Sequence, residues 1–530
     1  YPRNLSLGNA SGGKHESFLG YMGLSVVVMV VAAVTFMLVG LSQLGRRVID
    51  LEDYMVSRNQ IGGPMALATI TASALGAWIL YSPVEAGSAF GGLSAILGYC
   101  IGSAAAVLVF VIVGPRLRQI MPWGHSLNEY VRHRYCWIGR APKVSGKAYP
   151  GARRSYDPWG RAMYWLTVGV MLMYMFVYLA AELTAIAQTL QLVADVPLLL
   201  TSTVVIAAVF LYTAYGGLKV TILTDALQFA LIVPLLLICA VATVIWLGGF
   251  DSAFTPVVEK FPELLSLSNV GGLRFGATLI IAIIAAELFN QGNWQRVYAC
   301  KDAPTVRRAF LGSSLVILPL LFLSGLLGLI AAGYDFSGAT AFFDLLSSLN
   351  VPSWLPGVVV LLAVALVMSS LDTLLNGISA VFTVDLLRLS HQPEQVLTLS
   401  RILTIAVGIP AVFIAAQGYS VLYLFFIADL ICAALLVPIV LSLYSRYQTS
   451  ANAFVSSLAG IVSGLLFFPK PDFSPLVNVP GGGDLLNSFA VALAISAVTT
   501  VAWNALDKTF NKNAIKPFNY SELSRIKPYL

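Results

Sequence analysis

The chain has 530 residues, of which 58% are hydrophobic and 11% charged, and its formal net charge is +6 at pH 7. About 25% of the residues in a soluble globular protein are charged, so this composition excludes that class and indicates a polytopic membrane protein. The five cysteines lie far apart and mostly inside apolar segments. This spacing excludes a disulfide framework or a zinc-ligand cluster and predicts small buried residues.

Apolar runs of about 17 to 25 residues can cross the ~30 Å hydrocarbon core of a bilayer as helices. Counting such runs predicts an all-α membrane protein with about 13 transmembrane helices. The predicted spans fall roughly at 17–44, 62–85, 90–114, 160–191, 197–215, 217–247, 272–295, 307–333, 354–387, 397–417, 420–446, 451–468 and 485–506.

The Lys and Arg residues are distributed very unevenly between the two sides of these spans. An odd number of spans places the termini on opposite sides, and with the N-terminus outside all but five of the 31 Lys and Arg residues lie inside. The five outer ones are Arg3, Lys14, Lys260, Arg274 and Lys470. This bias predicts an external N-terminus and a cytoplasmic C-terminus in the plasma membrane. It also explains the positive charge without a nucleic-acid partner.

Two connecting segments carry further signals. Sequons at Asn4 and Asn9 fall in the predicted external N-terminus, where a eukaryotic host would glycosylate them. The longest inner connection, residues 121–160, is rich in Arg, Gly and Pro. We interpret it as a solvated loop or a contact with membrane lipid headgroups.

The second and seventh spans are both interrupted near their middle. Gly76, Pro83 and Gly87 interrupt the second, and the polar run 290–293 interrupts the seventh after Glu287. Broken helices in corresponding positions point to an inverted repeat with a binding site at the breaks. We therefore predict a five-plus-five repeat made of spans 2–6 and 7–11. The chain then divides into residues 1–61, a transport core at 62–446, and two peripheral helices with a tail at 447–530.

The ninth span carries polar side chains at membrane depth, which is costly unless they have partners. Ser369, Ser370 and Asp372 offer oxygens of the kind that a small hard cation such as Na⁺ prefers, so an ion site is one interpretation. The other is that Ser369, Ser370 and Thr373 bond to carbonyls one turn back or to a neighbouring helix.

Three motifs resemble those of one family. The sequence from Tyr215 reads YGGLKVTILTDALQFALI, which resembles the Gly-Gly-Leu, Thr-Asp and Gln signature of the sodium/solute symporter family. Two further stretches, NQGNWQR at 290–296 and MSSLDTLLNGISAVFTVD at 368–385, are similar to that family's seventh and ninth helices. The resemblance covers nearly the whole chain and implies a LeuT-type core.

The resemblance implies one sodium ion between the second and ninth helices. By position, it would be held by the carbonyls of Ala72, Leu75 and Leu366 and the hydroxyls of Ser369 and Ser370.

The resemblance also implies an ion role for Asp225, the aspartate of the Thr-Asp signature, beside the inner route by which sodium leaves. Because some members bind a second ion nearby with ninth-helix oxygens, Asp225 with Thr373 and Asp372 is a second candidate ion site. The chain has Ala74 where proline-type members have an Asp, which makes a proline substrate less secure.

The substrate cavity is implied by comparison with sugar-binding members. Glu182 stands where they use an Asn on the fourth helix, and Asn290 matches another of their contacts. Glu85, Glu182 and Glu287 would then converge on one cavity, where carboxylates bind cationic groups, share protons or pair with Lys or Arg. Alternatively, Glu85 faces external water and Glu287 bonds a neighbouring helix.

Two tryptophans and the carboxylate at Glu182 complete the predicted substrate site. Trp78 and Trp294 flank the breaks and are either apolar gates or interfacial packing residues. A carboxylate at Glu182 predicts a substrate that is cationic or a strong hydrogen-bond donor.

These observations together predict a sodium-coupled symporter that takes up a small polar solute, with a urea-, polyamine- or amino-acid-like substrate favoured. No nucleotide-binding loop is found, so neither an ATP-driven pump nor an enzyme is expected. The alternatives are a membrane-embedded sensor and a proton-coupled or passive carrier. Because the chain ends soon after its last predicted span, we favour transport over a sensor with an attached kinase domain.

Overall fold

The computed structural model describes residues 13–42, 51–138, 143–144, 147–148, 155–349, 351–352, 354–387, 393–510 and 517–525. In this part of the chain, 11 helices are long and apolar enough to cross a membrane, and a bent helix pair adds a twelfth crossing. The prediction of an all-α membrane protein is confirmed. The predicted count of 13 is approximate, because one span corresponds to the shorter apolar helix Leu198–Ala214. The sequons at Asn4 and Asn9 lie outside the described residues.

The α-helices are α1 (Gly13–Ser42), α2 (Leu51–Met55), α3 (Gly63–Ala74), α4 (Ser82–Ser88), α5 (Leu93–Ile120), α6 (Leu127–Tyr135), α7 (Pro158–Ala194), α8 (Leu198–Trp246), α9 (Phe250–Lys260), α10 (Val270–Glu287), α11 (Gln291–Ala299), α12 (Ala303–Gly333), α13 (Ala341–Ser348), α14 (Trp354–Val381), α15 (Pro393–Ala415), α16 (Val421–Ser442), α17 (Ser450–Phe467) and α18 (Leu485–Phe510). Shorter helical turns are Ala77–Leu80, Pro262–Leu265, Phe382–Leu387 and Tyr520–Arg525. Two antiparallel strand pairs join β1 (Trp137–Ile138) to β4 (Ser155–Tyr156) and β2 (Lys143–Val144) to β3 (Lys147–Ala148).

The predicted interruption of the second span is a real break. The helix α3 ends at Ala74, Leu75 and Gly76 are extended, and the chain then resumes as a short turn and α4. The two halves, Gly63–Ala74 and Ala77–Ser88, are bent by 56°. Such a break frees backbone carbonyls that a continuous helix would use internally.

The seventh span is broken in the corresponding place. The helix α10 ends at Glu287, and α11 begins at Gln291. Asn290 caps α11, because its Oδ1 accepts a hydrogen bond of 3.0 Å from the Gly292 backbone N–H. The two broken helices therefore each open a set of five crossings, α3 to α8 and α10 to α16.

The fifth and sixth predicted spans are the two halves of α8, which meet at a kink at Gly217. This residue has φ 57° and ψ −157°, a conformation that residues with a Cβ rarely adopt. A Cβ there would also lie 2.5 Å from the Tyr54 carbonyl oxygen. The predicted division at residues 215–217 is therefore a glycine-dependent kink.

The helix α14 lies at the centre of the molecule. It packs against α1, α3, α7 and α8. In the apolar stretch of the span Trp354–Leu387, 89% of the residues are buried, compared with 22% in that of the span Gln395–Ala415. A helix enclosed in this way can carry polar side chains, because other helices rather than lipid surround them.

The interpretation of residues 121–160 as a solvated loop is wrong for its first part. Residues Leu127–Tyr135 form α6, in which Leu127, Tyr130 and Val131 are fully buried. Ser126 caps this helix by accepting from the Glu129 backbone N–H at 3.0 Å. The many charged residues concealed its short apolar face, and a helix of this length gives no membrane-span signal.

Candidate functional site

The first group of candidate residues lies where α3 ends against α14. Ser369 Oγ donates to the Ala72 carbonyl oxygen at 2.7 Å and lies 3.3 Å from the Leu366 carbonyl oxygen. Ser370 Oγ lies 3.2 Å from the same Leu366 oxygen. The next residue after α3, Leu75, has φ −109° and ψ 112°, so its carbonyl leaves the helical direction. Four of the five predicted ligands thus meet at the end of α3, namely Ala72, Leu366, Ser369 and Ser370. The fifth, Leu75, directly follows α3 in the chain.

These oxygens fit a sodium ion chemically. They are buried, uncharged hydroxyl and carbonyl oxygens beside a helix break, which is the kind of site where transporters coordinate Na⁺. The hydroxyl oxygens of Ser369 and Ser370 keep lone pairs that a cation can use. A cation held here would link α3 to α14.

Glu182 lies directly against the break after α3. Its Oε2 accepts from the Ala77 backbone N–H at 2.8 Å and from Ser370 Oγ at 2.9 Å. Its Oε1 is buried and has no hydrogen-bond partner among the described residues. A Cβ on Gly76 would lie 2.0 Å from that Oε1, so the glycine is what lets the carboxylate approach the backbone. Through Ser370, Glu182 is therefore connected to the candidate sodium ligands.

Asp225 is paired with Arg296, and both side chains are fully buried. Arg296 Nη2 donates to Asp225 Oδ2 at 2.7 Å and to Thr373 Oγ1 at 2.6 Å. Its Nε donates to Thr69 Oγ1 at 3.0 Å, and Nη1 donates to the Gly292 carbonyl at 3.1 Å. The guanidinium thus bridges Asp225 and Thr373, the two residues proposed from the sequence to share a second ion.

Asp372 lies beside this pair without a cationic partner of its own. Its Oδ2 accepts from Tyr212 Oη at 3.0 Å and from Thr224 Oγ1 at 3.1 Å. It is close enough to Asp225 and Arg296 to interact electrostatically with both. Among the described residues, Arg296 forms its ion pair with Asp225, and Asp372 accepts from hydroxyls only.

Glu287 ends α10 at the second break and is held by neutral donors. Its Oε1 accepts from Tyr174 Oη at 3.1 Å. Its Oε2 accepts from Asn293 Nδ2 at 2.6 Å and from Asn290 Nδ2 at 3.2 Å. The structure thus brings two of the predicted substrate residues, Glu287 and Asn290, into contact.

The two predicted tryptophan gates have different surroundings. Trp78 stacks on Tyr99 with ring centroids 5.6 Å apart and donates to Tyr178 Oη at 3.1 Å. Trp294 is fully buried, donates to the Leu288 carbonyl at 2.8 Å and packs edge-on against Phe110. Trp78 therefore belongs to an aromatic group beside the break, whereas Trp294 packs inside the helix bundle.

Several aromatic rings surround Trp78. Phe425 lies edge-on to both Trp78 and Tyr178, with ring centroids 6.2 Å and 5.0 Å away. Tyr174, which donates to Glu287, lies 5.9 Å from Tyr178. These contacts join α7 and α16 to the first break.

Two further carboxylates lie near these rings. Asp429, one turn after Phe425 on α16, is 5% exposed, and its Oδ1 has no hydrogen-bond partner in the described part of the chain. It is close enough to Glu287 and Tyr99 to interact electrostatically, and Glu85 also interacts with Tyr99. Glu85 Oε2 is likewise buried without a partner. We call Glu85, Glu287, Asp429, Trp78, Tyr99, Tyr174, Tyr178 and Phe425 the acidic aromatic cluster.

The two ends of α5 differ in how they are packed. Near its first residues lies a cavity of about 490 Å³ whose lining includes Phe90, Asn269, Arg274 and Phe275. Past its last residue, His125 is hydrogen-bonded between Glu52 of α2 and Glu129 of α6. Thus one face of the molecule has an open cavity, and the opposite face is closed by an ionic network.

Sequence reasoning missed two members of these sites. Arg296 was counted only as an inner positive charge, although it neutralises Asp225. Asp429 was overlooked inside the apolar run 420–446, where a carboxylate at membrane depth is itself a functional signal.

Comparison with known proteins gives a consistent result. The model described as "Sodium:solute symporter family" matches residues 159–460. The chain is similar to the spermidine transporter DUR31 of Candida albicans, at 26% identity over 501 residues, covering 86% of this chain and 88% of that protein. It is also similar to the sodium/glucose cotransporter of Vibrio parahaemolyticus, at 24% identity over 386 residues and 65% and 69% coverage.

Among solved structures, the fold resembles that of a Na⁺-coupled sialic acid symporter in a substrate-bound outward-open state. The TM-score is 0.71 at 16% sequence identity, and the likeness covers 91% of this chain and 98% of the other.

Proposed function

Because the chain belongs to the sodium:solute symporter family, we propose that it is a sodium-coupled secondary active symporter that moves a small polar organic solute by alternating access. As a member of this family it is an integral membrane transporter and not an enzyme. The resemblance found in its sequence and the LeuT-type fold that it implied are confirmed.

The observation that carries the sodium assignment is the contact between Ser369 of α14 and the Ala72 carbonyl at the end of α3. Sodium bound by Ala72, Leu75, Leu366, Ser369 and Ser370 would fix the end of α3 against α14. The ion then stabilises the arrangement in which solute binds, which is the condition for coupling. One charge moving down 100 mV provides about 2.3 kcal/mol, enough for more than a tenfold solute gradient.

We place the first residues of α5, beside the cavity, at the outer face of the plasma membrane. The His125 network then lies at the cytoplasmic face. The distribution of Lys and Arg supports this orientation. The structure would then be outward-facing, with the cytoplasmic exit closed.

The solute is not fixed by family membership, since one relative is named for spermidine and another for glucose. The carboxylates of Glu182 and Glu287 favour a solute with cationic or hydrogen-bond-donating groups, such as a polyamine, a urea or an amino acid. Anionic solutes would be repelled.

The test is uptake by proteoliposomes against a panel of labelled amines, amides, sugars and carboxylates, with and without an inward sodium gradient. We expect concentrative uptake of at least one cationic or amide solute only with the gradient. Equal uptake without any ion gradient would instead identify a passive carrier.

A proton-coupled carrier is the second candidate, and Asp372 favours it. Among the described residues, this buried carboxylate accepts only from hydroxyls, and the nearby Arg296 is ion-paired with Asp225 instead. Proton binding would remove the excess charge. An imposed pH gradient without sodium distinguishes the two mechanisms, because only proton coupling would then concentrate solute.

A further inference from the structure

The acidic aromatic cluster has an excess of negative charge. Its three carboxylates, Glu85, Glu287 and Asp429, form no ion pair with any Lys, Arg or His in the described part of the chain. Asp225 differs, because Arg296 compensates it at 2.7 Å. Asp429 is buried, and Glu85 and Glu287 are partly buried. Carboxylates in such surroundings are costly without compensation, and a positive partner from outside the chain would supply it.

The three carboxylates differ in how far protein donors satisfy them. Glu287 accepts hydrogen bonds from a tyrosine and two asparagines, which fix its orientation but bring no charge. Asp429 accepts none from the described residues, although it is 95% buried and lies within electrostatic range of Glu287, Tyr99 and Tyr174. Its carboxylate therefore has hydrogen-bonding capacity that no described residue uses.

The aromatic members suit an organic cation. Trp78, Tyr99, Tyr178 and Phe425 pack against one another. Tyr178 also packs against Tyr174, which donates to Glu287. Ring faces attract ammonium groups and also pack against methylene chains. The carboxylates come from different helices, and no three acidic, His or Cys side chains of the described residues lie close enough to hold a metal ion. Separated charges joined by apolar surface fit an extended cation better than a compact one.

We propose that the acidic aromatic cluster binds an extended di- or polyamine, with one ammonium group at Glu287, a second at Asp429 and the intervening methylenes on Trp78, Tyr99 and Phe425. This inference rests on the proposed symport function and names the substrate class of that site. Glu85, nearer the cavity end of α4, receives the amine as it enters.

The experiment measures equilibrium binding to the purified full-length protein. The probe is a labelled α,ω-diamine. Its competitors are diamines of increasing chain length, the monoamine of matched length and the matching neutral diol. We expect one diamine length to bind best, at least tenfold more tightly than the monoamine, with the diol weaker still. This order follows because each charge-assisted hydrogen bond is stronger than a neutral one.

Variants of Asp429 and Glu287 test whether each carboxylate binds one ammonium group. Asp429→Asn and Glu287→Gln should each weaken diamine binding at least tenfold and leave the diamine no better than the monoamine. Asp429→Glu and Glu287→Asp keep the charge and should retain most of the binding. Asp195→Asn changes an exposed carboxylate at the end of α7 and serves as the matched control. Elution as a single folded species is required of each variant.

Two outcomes would overturn the inference. One is tight binding of the diol or of anionic solutes, and the other is unchanged diamine affinity in both neutral variants. If sodium-driven uptake of a neutral solute accompanies either result, the symport proposal stands and only the diamine assignment fails. If diamines bind as expected but no sodium gradient drives their uptake, the symport proposal fails and the binding site stands.

Discussion

Ser369 and Ser370 offer the most direct test of the sodium site. Each hydroxyl supplies one of the five oxygens proposed to hold the ion, so Ser369→Ala and Ser370→Ala should raise the sodium concentration for half-maximal uptake about tenfold, or roughly 1.4 kcal/mol. The measurement is a sodium titration of uptake in proteoliposomes.

The control for these variants is Ser379→Ala, which removes another buried hydroxyl of α14 that bonds Ser400 instead. Its sodium dependence should match that of the wild type. Unchanged half-activation in both Ser369→Ala and Ser370→Ala would assign these hydroxyls to helix packing alone.

The Arg296–Asp225 pair predicts strong effects of substitution on stability, and these effects should not be additive in the double variant. Removing one partner leaves the other as an uncompensated buried charge, which costs about 3–5 kcal/mol, whereas neutralising both partners costs less. We expect Asp225→Asn and Arg296→Gln each to lower the unfolding temperature more than the double variant does. Thermal unfolding in detergent measures this, and an additive double variant would argue against the pairing.

The residues of the site were predictable from the sequence to different extents. Ser369 and Ser370 could be identified, because the ninth-helix motif places them in order. The pairing of Arg296 with Asp225 could not, since the two residues are 71 positions apart and only the fold brings them together. Glu182 was expected to face substrate, but its hydrogen bonds to Ala77 and Ser370 depend on the position of the break after α3. The role of Glu182 in substrate binding stays a prediction.

At the scale of elements, the contact of Glu182 with the break after α3 depends on Gly76. A Cβ at this position would lie 2.0 Å from Glu182 Oε1, so Gly76→Ala should displace the carboxylate and reduce uptake at least tenfold. Gly63→Ala is the matched control, because a Cβ there meets nothing within 4 Å. The double variant Gly76→Ala with Glu182→Asp should recover part of the uptake, since the shorter side chain withdraws its oxygens. Full activity of Gly76→Ala would show that the break tolerates a side chain.

Long elements were easier to predict than short ones. The hydropathy of a membrane span is summed over about 20 residues, so α5, α12 and α14 are evident from the sequence. The breaks after α3 and α10 were also expected, because glycine and polar residues interrupt apolar runs there. The short helices α6, α9 and α13 lie in connections, where neither length nor hydropathy distinguishes them from loops.

At the scale of the whole molecule, a network around His125 closes the face opposite the cavity. Besides its bonds to Glu52 and Glu129, the His125 carbonyl accepts from Gln291 of α11 at 2.7 Å. Arg58 Nε donates to the other Glu52 oxygen at 2.6 Å. The network thus ties α2, α6 and α11 together, and inward opening must break it.

The protonation of His125 should therefore control inward opening. Burial alone would lower the pKa of His125, but the carboxylates of Glu129 and Glu52 raise it to about 9 in the closed arrangement. When the network opens, the pKa returns towards its ordinary value near 6.5. The closed arrangement is therefore stabilised fully below about pH 6.5. That stabilisation falls as the pH rises and is lost above about pH 9.

The measurement is the distance between spin labels at Gln60 and Arg132 in a background without native cysteines. We expect the longer, open distance to gain population between pH 6.5 and 9, because deprotonated His125 no longer attracts both carboxylates. His125→Gln keeps a hydrogen-bonding side chain without a titrating charge, so its distance distribution should not change over this range. If His125→Gln responds to pH as the wild type does, another group controls the opening, and a constant wild-type distance would mean that His125 protonation does not hold this face closed.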